Sequence, residues 1–169
     1  MVVDQPTERP LDPYVDGDAP DAAFARLYAE AYRPMVRLAL LLTGSPAQVE
    51  ELVQDAFVRV YGQWERIESP RAYLRQTVIN ACHSHRRRRA RELRHGPGAA
   101  ARAASVDPEA NLMRDALARL SDRQRKAVVL RYYEDLSEAE IARVLNCRPG
   151  TVKSLLSRAL ARLRKEMPS

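Results

Sequence analysis

The chain has 169 residues and carries 28 Lys and Arg against 22 Asp and Glu, a formal net charge of +6. That length holds one ordinary domain or two small ones, and a hydrophobic share of 46% is enough for packed cores, which excludes wholesale disorder. Aromatics at 6% and 6 glycines exclude a sandwich or barrel of many turns, while the helix formers Ala, Leu, Arg and Glu dominate, so the expected fold is all-α.

The first twenty residues are acidic, proline-rich and aperiodic, and read as a disordered tail, unlike a signal peptide. From Asp21 the positions Phe24, Leu27, Tyr28, Ala31, Met35, Leu38 and Leu42 recur at helical spacing, with Pro34 expected to kink or divide that helix before Thr43-Gly44. Ser45, Pro46 and Gln48 read as N-cap, first helical residue and capping box of a second helix, whose apolar positions run from Val49 to Trp64. Ser69-Pro70 repeats the start signal, for a helix to about Arg91 that ends in HSHRRRRARE.

Residues 93–107, with Gly-Pro-Gly and no amphipathic order, read as a flexible linker. Beyond it a helix is expected from Pro108 to Leu120. Ser121 with Gln124, and Ser137 with Glu140, are capping boxes for the next two helices, and Pro149 opens a last one ending near Met167. The expected organisation is a tail (1–20), a first bundle (21–92), the linker (93–107) and a second bundle (108–168). Charge follows that division: residues 71–102 hold nine arginines and one acid, and residues 143–169 are again strongly basic, so two separate surfaces are expected to face a polyanion.

Catalytic patterns are missing. The glycines form neither a phosphate loop nor a dinucleotide fingerprint, and no acid/base pair stands out among acids interleaved with arginines. Cys82, His83 and His85 fan over different faces of a helix beside four arginines that repel a cation, so no metal site and no cofactor are expected. Cys82 and Cys147 are too few for a disulfide framework, and the longest apolar run, Leu38 to Thr43, is far too short to cross a bilayer. A reduced, cytoplasmic protein is the expectation.

The stretch LSEAEIARVLNCRPGTVKSLLSRALARLRK has the layout of a helix-turn-helix. Ala139, Ile141, Ala142 and Leu145 are expected on the buried side of its first helix, and Val152, Leu155 or Leu156, Ala159 and Leu163 on that of its second. Thr151, Lys153, Ser154, Ser157 and Arg158 are left on the outer face, where a recognition helix enters the major groove, with Arg148 adding charge. In the first bundle, Arg71, Tyr73, Arg75, Gln76, Asn80, His83, Arg86 and Arg87 mix aromatic, amide and basic groups, a combination suited to single-stranded or locally opened DNA.

These two blocks in this order resemble the bacterial RNA polymerase sigma factors of the small extracytoplasmic-function (ECF) class, over about residues 21–166. VEELVQDAFVRVYGQWERIESPRAYLRQTVINACHSHRRRR is similar to sigma region 2, and RLSDRQRKAVVLRYYEDLSEAEIARVLNCRPGTVKSLLSRALARLRK to region 4. The resemblance implies a dissociable specificity subunit that binds core polymerase through its clamp coiled coil and flap, together with duplex and melted promoter DNA. It also implies an anti-sigma factor. Carried over residue by residue, Glu51, Gln54, Asp55, Phe57 and Tyr61 would contact the clamp. The helix from Arg71 to Arg87 would read the minus-ten element, with Asn80 the foremost base contact and the loop Glu65 to Ser69 holding a flipped base. Arg148 to Arg158 would read the minus-thirty-five element. The chain departs from the family at Ser84, where an acid is frequent, and at Leu155, where an arginine is. A stand-alone helix-turn-helix regulator would leave the Gln54/Asp55 helix and the Asn80 face without a role, and a pure interaction module would bind partners without directing transcription.

Overall fold

The computed structural model describes residues 20–95 and 108–166. Seven α-helices lie among them: α1 (Pro20–Thr43), α2 (Val49–Tyr61), α3 (Pro70–His95), α4 (Pro108–Ala118), α5 (Asp122–Tyr132), α6 (Glu138–Val144) and α7 (Pro149–Glu166). A short 3-10 turn, Trp64–Arg66, joins α2 to α3. The expected tail (residues 1–19 of it) and most of the expected linker (96–107) fall outside the described residues.

α1, α2 and α3 form the first bundle around Leu27, Met35, Leu38, Val53, Val60, Leu74 and Val78, all fully buried. α1 is one continuous helix, so Pro34 does not divide it. Proline removes a single rung of the helical ladder, and the buried residues on either side, Ala31 and Met35, hold the turn against the core.

The start of α2 differs from the sequence expectation. Ser45 does not cap it and Pro46 is not its first residue: Gln48 takes a left-handed conformation, φ +66°, and the helix begins at Val49 with no side-chain cap. The Ser45 hydroxyl is instead taken by Arg89 at 3.4 Å, while the Ser45 backbone N–H donates to the Thr43 hydroxyl. At the other end, Trp64 leaves the helical stripe for the 3-10 turn and packs its ring edge-on against Phe24, 5.5 Å between centroids. α3 runs through His95, past the expected end and into the first residues of the expected linker. The i,i+4 pair Arg88–Glu92 supports that extension, and Gly96-Pro97 follows it.

In the second bundle both expected capping boxes form. Ser121 and Gln124 bond reciprocally at the start of α5, as do Ser137 and Glu140 at the start of α6. The Ser137 hydroxyl and backbone N–H, both donating to Glu140, hold that carboxyl below the usual carboxylate range. α6 ends in a Schellman turn: Asn146 sits at φ +48°, its N–H donates to Arg143 O, and the Cys147 N–H donates to Ala142 O. That turn swings α7 across α6, with Ile141, Ala142, Val152, Leu156 and Ala159 buried between them. Ala139, expected on the buried side, is exposed. Leu156 takes the deep position, and Leu155 is half-buried against the same core.

The bundles pack on each other, chiefly α5 against α1, so that their buried residues form one continuous cluster. Arg125 of α5 is 2% exposed. Its guanidinium donates to the carbonyls of Leu117 (2.7 Å), Ala118 (2.9 Å) and Leu120 (3.5 Å) at the end of α4, and across the interface to Leu42 (3.2 Å) at the end of α1. A cation at two helix C-termini meets the negative end of both dipoles. Four carbonyl acceptors replace the water it has lost.

Candidate nucleic-acid interface

α2 and α1 share an aromatic groove. Phe24, Tyr28, Phe57, Val58 and Tyr61 line it with Gln54 at its edge. Both phenylalanines of the chain are there, their rings edge-on at 6.2 Å, and Tyr28 lies 4.8 Å from Phe57. Phe57, expected as a contact residue, is 2% exposed and forms the floor. Tyr61 at 53% and Val58 at 70% exposure form the rim. The Tyr61 hydroxyl donates to Asp21 at 3.0 Å, and that bond raises its pKa. Val58 was not singled out from sequence. On a helical wheel it lies one turn from Gln54 and Tyr61, and its apolar side chain in open solvent is the signal. Glu51, Gln54 and Asp55 are all exposed on the same helix, Glu51 and Asp55 along the adjoining groove between α2 and α3.

The residues expected on α3 separate into two faces. Gln76 donates to Asn80 at 3.1 Å, and Asn80 and Arg87 are exposed on that side with Ser84 between them. Tyr73 joins this face one turn earlier, its hydroxyl donating to Gln63 at 3.3 Å. Arg75, His83 and Arg86 point instead toward α5. Arg75 pairs with Glu134 at 3.5 Å. Arg86 donates to Leu42 O at 3.0 Å and lies 3.6 Å from Asp122. His83 Nδ1 is 3.2 Å from Asp122 and 2.9 Å from Lys126 Nζ, so it accepts from Lys126 when unprotonated and donates to Asp122 when protonated. Arg71 is exposed outside both groups. The segment expected to hold a flipped base begins in the 3-10 turn, with Glu65 and Arg66 exposed.

Asp122 lies at the centre of this cluster. Burial pushes its carboxyl up, but the Lys126 ammonium at 2.9 Å, with Arg86 and His83, outweighs burial and holds it below the usual carboxylate range. Cys82, one residue from His83, is 1% exposed, and burial pushes its thiol up to about 12, so it is packed as a neutral thiol. No group of His, Cys, Asp and Glu suited to a metal occurs among the described residues. Along the α2/α3 groove, burial and the neighbouring Arg89 and Arg88 push His85 below the ordinary imidazole value, and its Nε2 is buried with no hydrogen-bond partner.

At α7 the six expected residues share one condition: Arg148, just before the helix, and Thr151, Lys153, Ser154, Ser157 and Arg158 on it are all exposed. Val152, Leu156 and Ala159 hold the opposite face in the core. The Ser154 hydroxyl donates back to Gly150 O at 3.1 Å and keeps its lone pairs available. A helix anchored on one side and basic on the other, set across a shorter helix by a tight turn, can lie in a major groove.

Sequence reasoning missed Asp122, Lys126, Arg125 and Glu134 of the second bundle. Arg125 had a legible signal: it falls in line with Val128 and Val129, three and four residues on, where an apolar residue is the rule.

A Sigma-70 region 2 family model matches residues 27–92, and a Sigma-70, region 4 model matches residues 110–163. An RNA polymerase sigma-E factor of Streptomyces avermitilis is 41% identical over 144 residues, spanning 80% of this chain and 79% of the relative. The ECF RNA polymerase sigma factor SigM of Mycobacterium tuberculosis is 34% identical over 161 residues, spanning 90% of this chain and 80% of its own. Among solved structures, the sigma factor RpoE from Bartonella quintana, in complex with the anti-sigma factor NepR, aligns with a TM-score of 0.75 at 26% identity, covering 85% of this chain and 95% of that one. CnrH in complex with the cytosolic domain of CnrY aligns with a TM-score of 0.66 at 25% identity, over 86% and 87% of the two chains. With region 2 on the first bundle and region 4 on the second, the chain belongs to the sigma-70 family, as an RNA polymerase sigma factor of the extracytoplasmic-function class that directs transcription initiation.

Proposed function

We propose that the division of labour among the three surfaces follows the order of the chain. The groove of α1 and α2, with Glu51, Gln54, Asp55 and Tyr61 around the Phe57 floor, docks on the clamp coiled coil of core polymerase. The Tyr73, Gln76, Asn80 and Arg87 face of α3, extended by Arg71, Arg75, His83 and Arg86, captures the minus-ten element. Arg148, Thr151, Lys153, Ser154, Ser157 and Arg158 read the minus-thirty-five element as duplex. Region 2 then spans 21–92 and region 4 spans 108–168, with the segment between them a linker and residues 1–20 a tail. The polypeptide acts in the cytoplasm without catalysing a reaction of its own, and capture of unstacked bases supplies the work of melting. An anti-sigma factor is a further partner, a reading supported by the likeness to a sigma factor solved with an anti-sigma factor bound.

The observation that carries this reading is the exposure of Arg148 and of all five candidate residues of α7, together with the open amide face Gln76–Asn80 on a separate bundle. Two reading surfaces on one chain suit two promoter elements, and a shared tether raises the effective concentration of the second once the first is bound. Transcription from genomic fragments with purified core polymerase, with and without the protein, tests it. New transcript starts that share two upstream elements support the assignment, and Asn80→Ala and Lys153→Ala then weaken dependence on the nearer and the farther element respectively. Tight duplex binding with no new starts would replace it with a stand-alone regulator.

A further inference from the structure

Asn80, exposed on the open face of α3, does not present both ends of its amide equally. The Gln76 side-chain N–H donates to Asn80 Oδ1 at 3.1 Å, from one helical turn earlier on the same stripe. The other neighbours of Asn80 on the helix surface are engaged elsewhere or open. Thr77 gives its hydroxyl proton to the Tyr73 carbonyl at 2.8 Å, His83 faces Asp122, and Ser84 is exposed. A carboxamide is planar, with its acceptor oxygen and its two donor hydrogens on opposite sides of one carbon. Drawing Oδ1 back to Gln76 therefore leaves Nδ2 on the exposed side. The sense of the bond matches that of a stabilising i,i+4 Gln–Asp pair, in which glutamine can only donate.

We infer that Gln76 is a positioning residue that fixes Asn80 as a hydrogen-bond donor, so that the unpaired base Asn80 selects is one with an acceptor edge, thymine or cytosine, over adenine. An unconstrained asparagine offers donor and acceptor together and suits adenine, which sets an amino group beside a ring nitrogen. With the carbonyl held by Gln76, that two-point match is lost. The keto oxygens of thymine, or N3 and O2 of cytosine, accept from Nδ2 instead. The inference rests on the assignment of α3 to the minus-ten element. It gives Gln76 a role through Asn80, not on a base of its own.

The test uses holoenzyme assembled from core polymerase and the full chain. Its template is a promoter found by transcript mapping, with the minus-ten region held open as a mismatched bubble and each non-template position carrying A, C, G or T in turn. Affinity ratios between templates that differ in one base cancel any change in the overall charge of the protein. Asn80→Ala locates the position that Asn80 reads, by flattening the preference there. Gln76→Lys supplies only a donor and is expected to keep the pyrimidine preference at that position. Gln76→Glu supplies only acceptors, so Asn80 Nδ2 turns back to it and Oδ1 faces outward. The ratio of thymine to adenine affinity is then expected to fall about tenfold. Equal base preference in the Gln76→Glu and Gln76→Lys proteins overturns the positioning role. So does a change confined to another position, where Gln76 reads a base itself, or a preference of the unaltered protein for adenine where Asn80 reads. If no position responds to Asn80→Ala, the minus-ten assignment itself is overturned, and the inference with it.

Discussion

Arg125 and Leu42 are 83 positions apart in sequence, and the guanidinium of one donates to the carbonyl of the other across the interface of the two bundles. The same carbonyl accepts from Arg86, so the end of α1 is capped by one arginine from each sigma region. Helix ends leave carbonyls without intrahelical partners. Here the unsatisfied end of a region 2 helix becomes the attachment point for region 4. Stability of the first bundle and its packing against the second therefore share a residue.

Arg125→Ala removes donors from four carbonyls at once. Hydrogen bonds from a charged donor are worth about 1.5–3 kcal/mol each in favourable cases, offset by the desolvation of a buried cation, so a net loss of about 3 kcal/mol is expected. For a chain of this length that lowers the melting temperature by ~6–12 °C. Arg125→Lys recovers only part, because an ammonium cannot fork to acceptors on two helices. Thermal denaturation followed by circular dichroism checks both, and a melting temperature unchanged in the alanine variant would remove Arg125 from the stability argument.

The Schellman turn at Asn146 sets the angle between α6 and the recognition helix. A residue with a β-carbon is strained at φ +48° unless it is Asn or Asp, and glycine is free there. Asn146→Ala is expected to destabilise by about 1 kcal/mol and to weaken duplex binding along with it, whereas Asn146→Gly is expected to be neutral or slightly stabilising. Melting curves beside duplex-binding isotherms separate the two variants.

Much of this was legible in the sequence because it is local. The capping boxes at Ser121 and Ser137, the turn before Pro149 and the outward set on α7 each depend on residues within a few positions of one another, and each appears as read. The Ser45 cap failed because its hydroxyl is claimed by Arg89, 44 positions away, and Gln48 turns left-handed before the helix can start. The division of α3 into an open face and a covered face was not legible for the same reason. Arg75, His83 and Arg86 read as free donors until Asp122 at the start of α5 and Glu134 just beyond its end, 36 to 59 positions downstream, are placed beside them. Helical periodicity says which side chains share a stripe, not which stripe a second bundle will cover.

Val58 separates a test of the proposed clamp-docking surface from a test of the core. It is 70% exposed, so a polar replacement has little to disturb within the bundle, yet it stands on the rim of the groove with Tyr61. Val58→Glu is expected to leave the melting temperature within about 2 °C, as surface substitutions do. Its affinity for core polymerase should fall at least tenfold, through a desolvated charge facing an apolar partner surface. Competition for core against the unaltered protein measures it, and equal competition would move the docking surface away from this groove.

Region 4 contacts of the minus-thirty-five element should show the salt signature of phosphate binding. Arg148, just before α7, and Lys153 and Arg158 on it are exposed cations. Replacing any one of them by Ala is expected to lower the slope of log affinity against log salt by about 1 if that residue neutralises a phosphate. A residue that reads a base edge should instead cost about 1–3 kcal/mol at one position of the element. Titrations of holoenzyme on promoter duplexes at several salt concentrations distinguish the two roles for each residue.

Acid should loosen the chain in two separable steps. His85 is held below its ordinary imidazole pKa by burial and by Arg89 and Arg88, with Glu51 and Glu92 opposing them. The unfolded chain therefore binds this proton more readily, and stability falls as pH drops below about 6.5 toward the lowered folded value. Asp122 and Glu140 have depressed carboxyl pKa values, so the stability they contribute is fully present above their unfolded values near pH 4 and is lost as pH falls through the folded ones. His85→Gln should flatten the first step and leave the second. Asp122→Asn should do the reverse. Melting temperatures between pH 3 and pH 8 test the assignment, and a single step removed entirely by either substitution would contradict it.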